Sequence, residues 1–245
     1  MPQSGIREAL RQLPAAIDAV EFKATVADRR ELAALNQLGL AVEDGEPRQV
    51  WFFETSDLAL AGRGVVLRAR RIGADKVDST VKLRPVLPER VARKWRDEKG
   101  FKIEADIVGE RMVVSASFTV QRDGKALAAL AAGGGSIDKM FSGEQEDFLD
   151  AMAPVNFGTL RALGPVDVRR WEWRPDDLEH ALCVEFWRVA GGPDLVELSI
   201  KADPDDARAA HAAFNDFLRR RDIPLDTTQA TKTRAVLAFL AERQG

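Results

Sequence analysis

The chain has 245 residues, 45% of them hydrophobic and 31% charged, which is enough to bury a sizeable core as one large domain or two small ones. Its formal charge of −3 offers no bulk positive field for nucleic acid or an anionic membrane, so any anion site must be local. A single cysteine, Cys183, excludes an internal disulfide, and the two histidines, His180 and His211, lie too far from any cysteine cluster to point to zinc.

Residues 4–18 are amphipathic at helical spacing. The stretch "AVEFKATV" (19–26) then alternates, with Ala19, Glu21, Lys23 and Thr25 on one face and Val20, Phe22, Ala24 and Val26 on the other. A helix over 28–39 ends on Gly39, as a glycine just past the last turn should end it. Period-two segments follow at 49–54, 64–72, 78–84 and 100–108, and segment 111–120 fits either a ninth strand or the lead into a helix. Two helices are expected at 124–135 and 142–154, the second with Ser142 and Gln145 spaced as a capping box. Strands resume at 167–174, 181–189 and 194–201. Helices at 204–221 and 228–244 close the chain, the first with acid at its start and base at its end. No apolar run reaches the roughly 20 residues that span a bilayer, and no basic, apolar, small-residue leader opens the sequence, so a cytoplasmic location is expected.

Eight strands joined by connections too short for parallel crossovers, near 54–64, 72–78 and 190–194, imply an antiparallel sheet or barrel in an α+β protein. A sheet with one solvated face accounts for any single strand. The polar positions taken together read differently: Glu21 and Lys23, Arg68 and Arg70, Lys82 and Arg84, Lys102, Glu104 and Asp106, Arg170, Glu172 and Arg174, Glu185, Glu197 and Lys201. Solvated strand faces are rich in Thr, Ser, Gln and Lys, whereas this one is dense in Arg and Glu. That density points to a closed barrel with a charged interior. Buried charges cost several kcal/mol each unless paired or bound to ions, so a polyanion accompanied by a divalent cation is the economical occupant.

At these residues the chain resembles the CYTH superfamily, the triphosphate tunnel metalloenzymes, which include class IV adenylate cyclases and thiamine and inorganic triphosphatases. "AVEFKATV" stands at the family's opening Glu-x-Glu-x-Lys, "VWFFETSDLAL" resembles its Tyr-Phe-Asp-Thr-x-x-x-x-Leu segment, and "GRGVVLRARRIG" its strand ending in Arg-x-Arg. "STVKLRP", "KIEAD", "VRRWEW", "VEFWRV" and "VELSIK" follow in family order. Two positions depart from the pattern: Ala19 replaces the first glutamate, and Ser199 stands where the last strand would carry a second one. The resemblance implies one tunnel domain over 1–245, an eight-stranded antiparallel barrel flanked by helices. A helical insertion at about 124–165 would separate strands five and six.

It also implies roles. Lys23, Arg68, Arg70, Lys82, Arg84, Arg170, Lys201 and Lys232 would bind substrate phosphates, Lys232 from the last helix over one tunnel mouth. Glu21, Glu104, Asp106, Glu185 and Glu197 would hold Mg²⁺ or Mn²⁺, and Glu185 and Lys82 are the catalytic candidates. The expected activity is metal-dependent hydrolysis of a small triphosphate. The alternative is a catalytically weak polyphosphate- or nucleotide-binding module of the same fold. The expected partner is a small polyphosphate, with no nucleic acid and no membrane. No P-loop sequence is present, and a barrel for apolar ligands would need apolar inward faces. Trp51, Trp171, Trp173 and Trp187 are expected to pack, and Cys183 has no histidine partner to activate it.

Overall fold

A computed structural model describes residues 4–227 and 232–243. The first half of the chain forms α1 (Ser4–Ala9), β1 (Ala19–Thr25), α2 (Glu31–Gln37), β2 (Glu46–Glu54), α3 (Ala59–Gly62), β3 (Val65–Ile72), β4 (Lys76–Leu83), α4 (Arg93–Arg96), β5 (Phe101–Val108) and β6 (Arg111–Arg122). The second half forms α5 (Gly124–Ala131), α6 (Gly143–Met152), β7 (Arg161–Trp173), β8 (Leu182–Arg188), β9 (Asp194–Ala202), α7 (Ala207–Arg220) and α8 (Lys232–Glu242). The helix expected over 228–244 is described only from Lys232, and residues 228–231 lie outside the described residues.

The strands are hydrogen-bonded in the order β1-β5-β6-β4-β3-β2-β7-β8-β9 and close into a barrel. This corrects the sequence reading in two respects. Residues 111–122 are a ninth strand, and the helical segment therefore lies between β6 and β7, ending where β7 begins at Arg161. The barrel is also not wholly antiparallel, because β1 and β5 run parallel, with Ala19 opposite Glu104 and Glu21 opposite Asp106. Short connections force antiparallel pairing only between strands adjacent in sequence. β1 and β5 are far apart in the chain, so loop length places no such constraint on them.

Contacts divide the chain into two compact units, one of Met1–Pro47, Ile103–Val114 and Val168–Lys232, the other of Arg48–Lys102, Ser115–Asp167 and Thr233–Gly245. In the first unit β1 pairs with β9 and β8 with β9, both antiparallel. Helix α7 packs on β1 and β9. Its buried residues Ala207, Ala210, Phe214, Phe217 and Leu218 recur at helical spacing and form one apolar stripe. Phe22 meets the ring of His211 on this side, with centroids 5.3 Å apart. Val20, Phe22 and Ala24 are thus buried under helix, while Glu104, Asp106, Glu197 and Ser199, on the other face of their strands, are buried as well. The apolar side of "AVEFKATV" faces the helical layer, and its charged side faces the barrel interior.

In the second unit β3 pairs with β2 and β4, and β4 with β6. The expected capping box is present: Ser142 Oγ accepts from the Gln145 amide and Gln145 Oε1 from the Ser142 amide. Gln145 is fully buried and also fixes α6 to the strands, because its Nε2 donates to the carbonyls of Ser79 (3.2 Å) and Phe118 (2.8 Å). Phe148 of α6 packs edge-on against Trp95, Phe101 and Phe118. The inserted helix is thus an outer cover for β4 and β6. At the β3 start Gly64 has φ +75°, and a Cβ there would lie 1.9 Å from the Arg84 carbonyl oxygen, so only glycine fits. No helix among the described residues is long and apolar enough to cross a membrane.

Candidate functional site

In the first unit the register brings the charged side chains together before any pairing is considered. Glu21 lies opposite both Asp106 on β5 and Lys201 on β9, Lys23 lies opposite Ser199, and Glu185 on β8 lies opposite Glu197 on β9. Like charges directly opposite each other across strands are unfavourable. Three lysines resolve the conflict. Lys23 Nζ lies 2.9 Å from Glu21 and 2.5 Å from Asp106, and Lys201 Nζ lies 2.7 Å from Glu104. Lys232 Nζ bridges Glu185 and Glu197, at 2.7 Å from the latter. All five carboxylates expected to bind metal therefore contact a lysine.

These pairs set the protonation of the lysines. Burial opposes the charge on Lys23, but the carboxylates of Glu21, Asp106 and Glu197 outweigh it and raise the pKa above the ordinary lysine value. Burial likewise opposes Lys201 and Lys232, and Glu21 with Glu104, and Glu185 with Glu197, raise them in turn. All three remain ammonium ions at any physiological pH. Arg170 pairs with Glu172. Beside them the Cys183 thiol is pushed up to about 11 by burial and by the charge of Glu185, so it is no nucleophile at neutral pH, as expected.

In the second unit Arg68, Arg70, Asp78, Thr80, Lys82 and Thr119 share one face of β3, β4 and β6. Arg70 makes a bidentate ion pair with Asp78, Nε to Oδ1 at 3.0 Å and a terminal nitrogen to Oδ2 at 2.7 Å, and the Asp78 side chain is only 3% exposed. Arg68 donates to Thr80 at 3.4 Å, and Thr80 meets Thr119 at 3.0 Å. Lys82 is half-buried opposite Val66 and Ser117. Arg84 lies one residue past the end of β4, where its amide donates to the Gly64 carbonyl. On the matching face of β2, Val50 lies opposite Arg70 and Phe52 opposite Arg68.

Of the expected site residues, Glu21, Lys23, Glu104, Asp106, Glu185, Glu197, Lys201 and Lys232 are brought into lysine–carboxylate pairs within the first unit. Arg68, Arg70 and Lys82 share one face within the second, and Arg84 stands at its end. Sequence reasoning missed Asp78, whose place two residues before Thr80 on the polar face of "DSTVKLR" was a readable signal. It also missed Trp187, whose Nε1 donates to Glu185 at 3.1 Å and whose ring lies 5.0 Å from Lys232 Nζ. Two residues after Glu185 on β8, Trp187 shares its strand face, and its indole nitrogen reaches back along that face to the carboxylate. Glu54 was missed too: its buried carboxylate accepts from the amides of Thr55, Leu60 and Ala61 and holds α3. Among the described residues no group of three or more acidic, cysteine or histidine side chains is arranged to hold a metal ion unaided. Two pairs of carboxylates each reach a single point, Glu21 with Asp106 at Lys23 Nζ and Glu185 with Glu197 at Lys232 Nζ.

The sequence matches no protein-family model and no curated protein. Solved structures do match. A candidate adenylate cyclase from Bacillus halodurans superposes with a TM-score of 0.60 at 18% identity, over 89% of this chain and 97% of that one. A candidate adenylyl cyclase from Hippeastrum, described by its dominant triphosphatase activity, superposes with a TM-score of 0.59 at 18% identity, over 89% and 94% of the two chains. The chain shares the fold of these two proteins. In this barrel Ala19 stands in register with Glu104, and Ser199 lies between Cys183 and Lys23 in the strand register. The two motif departures therefore sit beside charges that are already paired.

Proposed function

We propose that this chain hydrolyses a small triphosphate bound on the charged faces of its barrel strands, releasing the terminal phosphate. The carrying observation is the interleaving of three permanently charged lysines with five carboxylates in the first unit. Phosphoryl transfer requires fixed positive charge and positioning more than covalent help. Carboxylates that hold lysines charged and oriented supply the first requirement. The carboxylates outnumber the lysines there, so a phosphate chain would be repelled unless it came with a cation of its own. The donor set suits that cation: hard carboxylate oxygens of Glu185 and Glu197, completed by phosphate oxygens and water, fit Mg²⁺ or Mn²⁺. When bound, such an ion neutralises charge on the phosphate oxygens.

In this reading Lys23, Lys201 and Arg170 in the first unit, and Arg68 and Lys82 in the second, are the cations offered to phosphate oxygens. Glu185, to which Trp187 Nε1 donates, takes a hydrogen bond from the attacking water. The triphosphatase activity named for the Hippeastrum protein is the same class of chemistry on the same fold. A second reading, a binding module of low turnover, is favoured by one observation: Ala19 and Ser199 leave the site two carboxylates short. Phosphate release from tripolyphosphate and nucleoside triphosphates with Mg²⁺ or Mn²⁺ tests the proposal. Metal-dependent release that disappears in Glu185→Ala supports hydrolysis. Release no greater than that of the Glu185→Ala control across the panel rejects it in favour of the binder.

A further inference from the structure

Glu185 and Glu197 face each other directly across β8 and β9, and both side chains are largely buried. Two like charges in that register need a cation between them. The chain supplies its own. Lys232, the first residue of α8, puts its ammonium between the two carboxylates, with the Trp187 ring 5.0 Å away and the Trp187 Nε1 donating to Glu185. We infer that Lys232 is a tethered cation that competes with a divalent metal for the Glu185–Glu197 pair. This rests on reading those two carboxylates as the metal-binding pair and is independent of whether the chain turns over substrate.

The physical argument is one of shared occupancy. An ammonium and a divalent ion both seek the point that the two carboxylates reach, and their oxygen distances, 2.7 Å for the lysine and about 2.0–2.1 Å for Mg²⁺, put them too close to coexist. Repulsion between them in a poorly solvated interior makes simultaneous binding costlier still. The lysine is covalently attached, so it is always present at high effective concentration. A free metal ion must displace it and leave it without its two carboxylates. The consequence is specificity: bare metal is held weakly, whereas an incoming polyphosphate offers the displaced ammonium new anionic partners. Metal and polyphosphate are then bound together in preference to either alone.

The test uses Mn²⁺ alone, with no phosphate compound present, and reads binding by the paramagnetic signal of free Mn²⁺. Lys232→Met keeps the side-chain length and removes the charge, and it is expected to bind Mn²⁺ more tightly than wild type by about tenfold or more. Lys232→Arg, which retains the charge, should bind as weakly as wild type. Adding Glu197→Gln to Lys232→Met should abolish the gain. Equal or weaker binding by Lys232→Met overturns the inference, whatever the hydrolysis assay gives. If Lys232→Met does not fold, acetylation of lysines in the wild-type protein replaces it. Labelling of Lys232 is expected to rise when Mn²⁺ is added, and unchanged labelling at Mn²⁺ concentrations that saturate the binding signal overturns the inference.

Discussion

The two units present charge in opposite ways. In the first, carboxylates predominate and the cations between them are lysines, point charges on flexible stems that each touch one or two acids. In the second, cations predominate and the one acid on the shared face, Asp78, is clasped by the planar fork of Arg70. A lysine held by two carboxylates can exchange one for a ligand oxygen and remain paired. An arginine in a bidentate pair gives up its partner altogether if it turns to a ligand. The lysine-rich unit is therefore organised for exchange, and the Arg70–Asp78 pair for rigidity.

The strongest way to break that contrast is to remove Asp78. Asp78→Ala leaves the half-buried Arg70 guanidinium without its partner and should cost about 3 kcal/mol in urea unfolding, the lower end of the scale for breaking a buried pair. A loss below about 1 kcal/mol, the scale of an exposed pair, would mean that Arg70 relaxes to another partner and is as available to ligands as the lysines. Lys23→Met is the matching change in the first unit. It leaves Glu21 and Asp106 facing each other and should cost about 3 kcal/mol near neutral pH. That cost should shrink as pH falls toward 5, because crowded carboxylates take up protons readily. A pH-independent cost would show that the lost stability is packing and not charge.

How far these features were legible follows from what alternation reports. Period two placed Glu21, Lys23, Arg68, Arg70, Glu104, Asp106, Glu185, Glu197 and Lys201 on one face, and the structure keeps them there because a strand has no other way to distribute its side chains. The capping box of α6 was legible for a similar reason, since it is local. Partners were not. Whether Lys23 meets Asp106 depends on the parallel β1–β5 register, and whether Lys232 meets Glu185 depends on a helix that starts 35 residues after Glu197. The Trp187 contact lies along one strand face, since residues 185 and 187 alternate together, but a tryptophan among charged positions reads as packing. Residues 111–122 were ambiguous because "SAS" carries little strand preference, and pairing with β4 decides the matter.

A further expected effect concerns pH. Lys23, Lys201 and Lys232 all have raised pKa values in the folded state, so the folded chain binds more protons than the unfolded one once pH passes the ordinary lysine value. Their contribution to stability is complete below about pH 10.4 and is lost above it, by up to about 1.4 kcal/mol per pH unit for each of the largely buried Lys23 and Lys232, and by less for Lys201, which solvent screens. Thermal unfolding followed from pH 9 to 11.5 should show that decline, and Lys23→Met should lessen its slope. A flat profile would mean that the pairs in the first unit contribute no net charge stabilisation.

The central claim is that the charged faces bind polyphosphate, and calorimetric titration with tripolyphosphate in Mg²⁺ tests it most directly. The account predicts one saturable site, weakened by about 1.5–3 kcal/mol in Lys82→Ala, the scale of a charge-assisted hydrogen bond, with unfolding of that variant unchanged in ligand-free buffer. The absence of saturable heat from the wild-type protein, or equal affinity in Lys82→Ala and wild type, would contradict it.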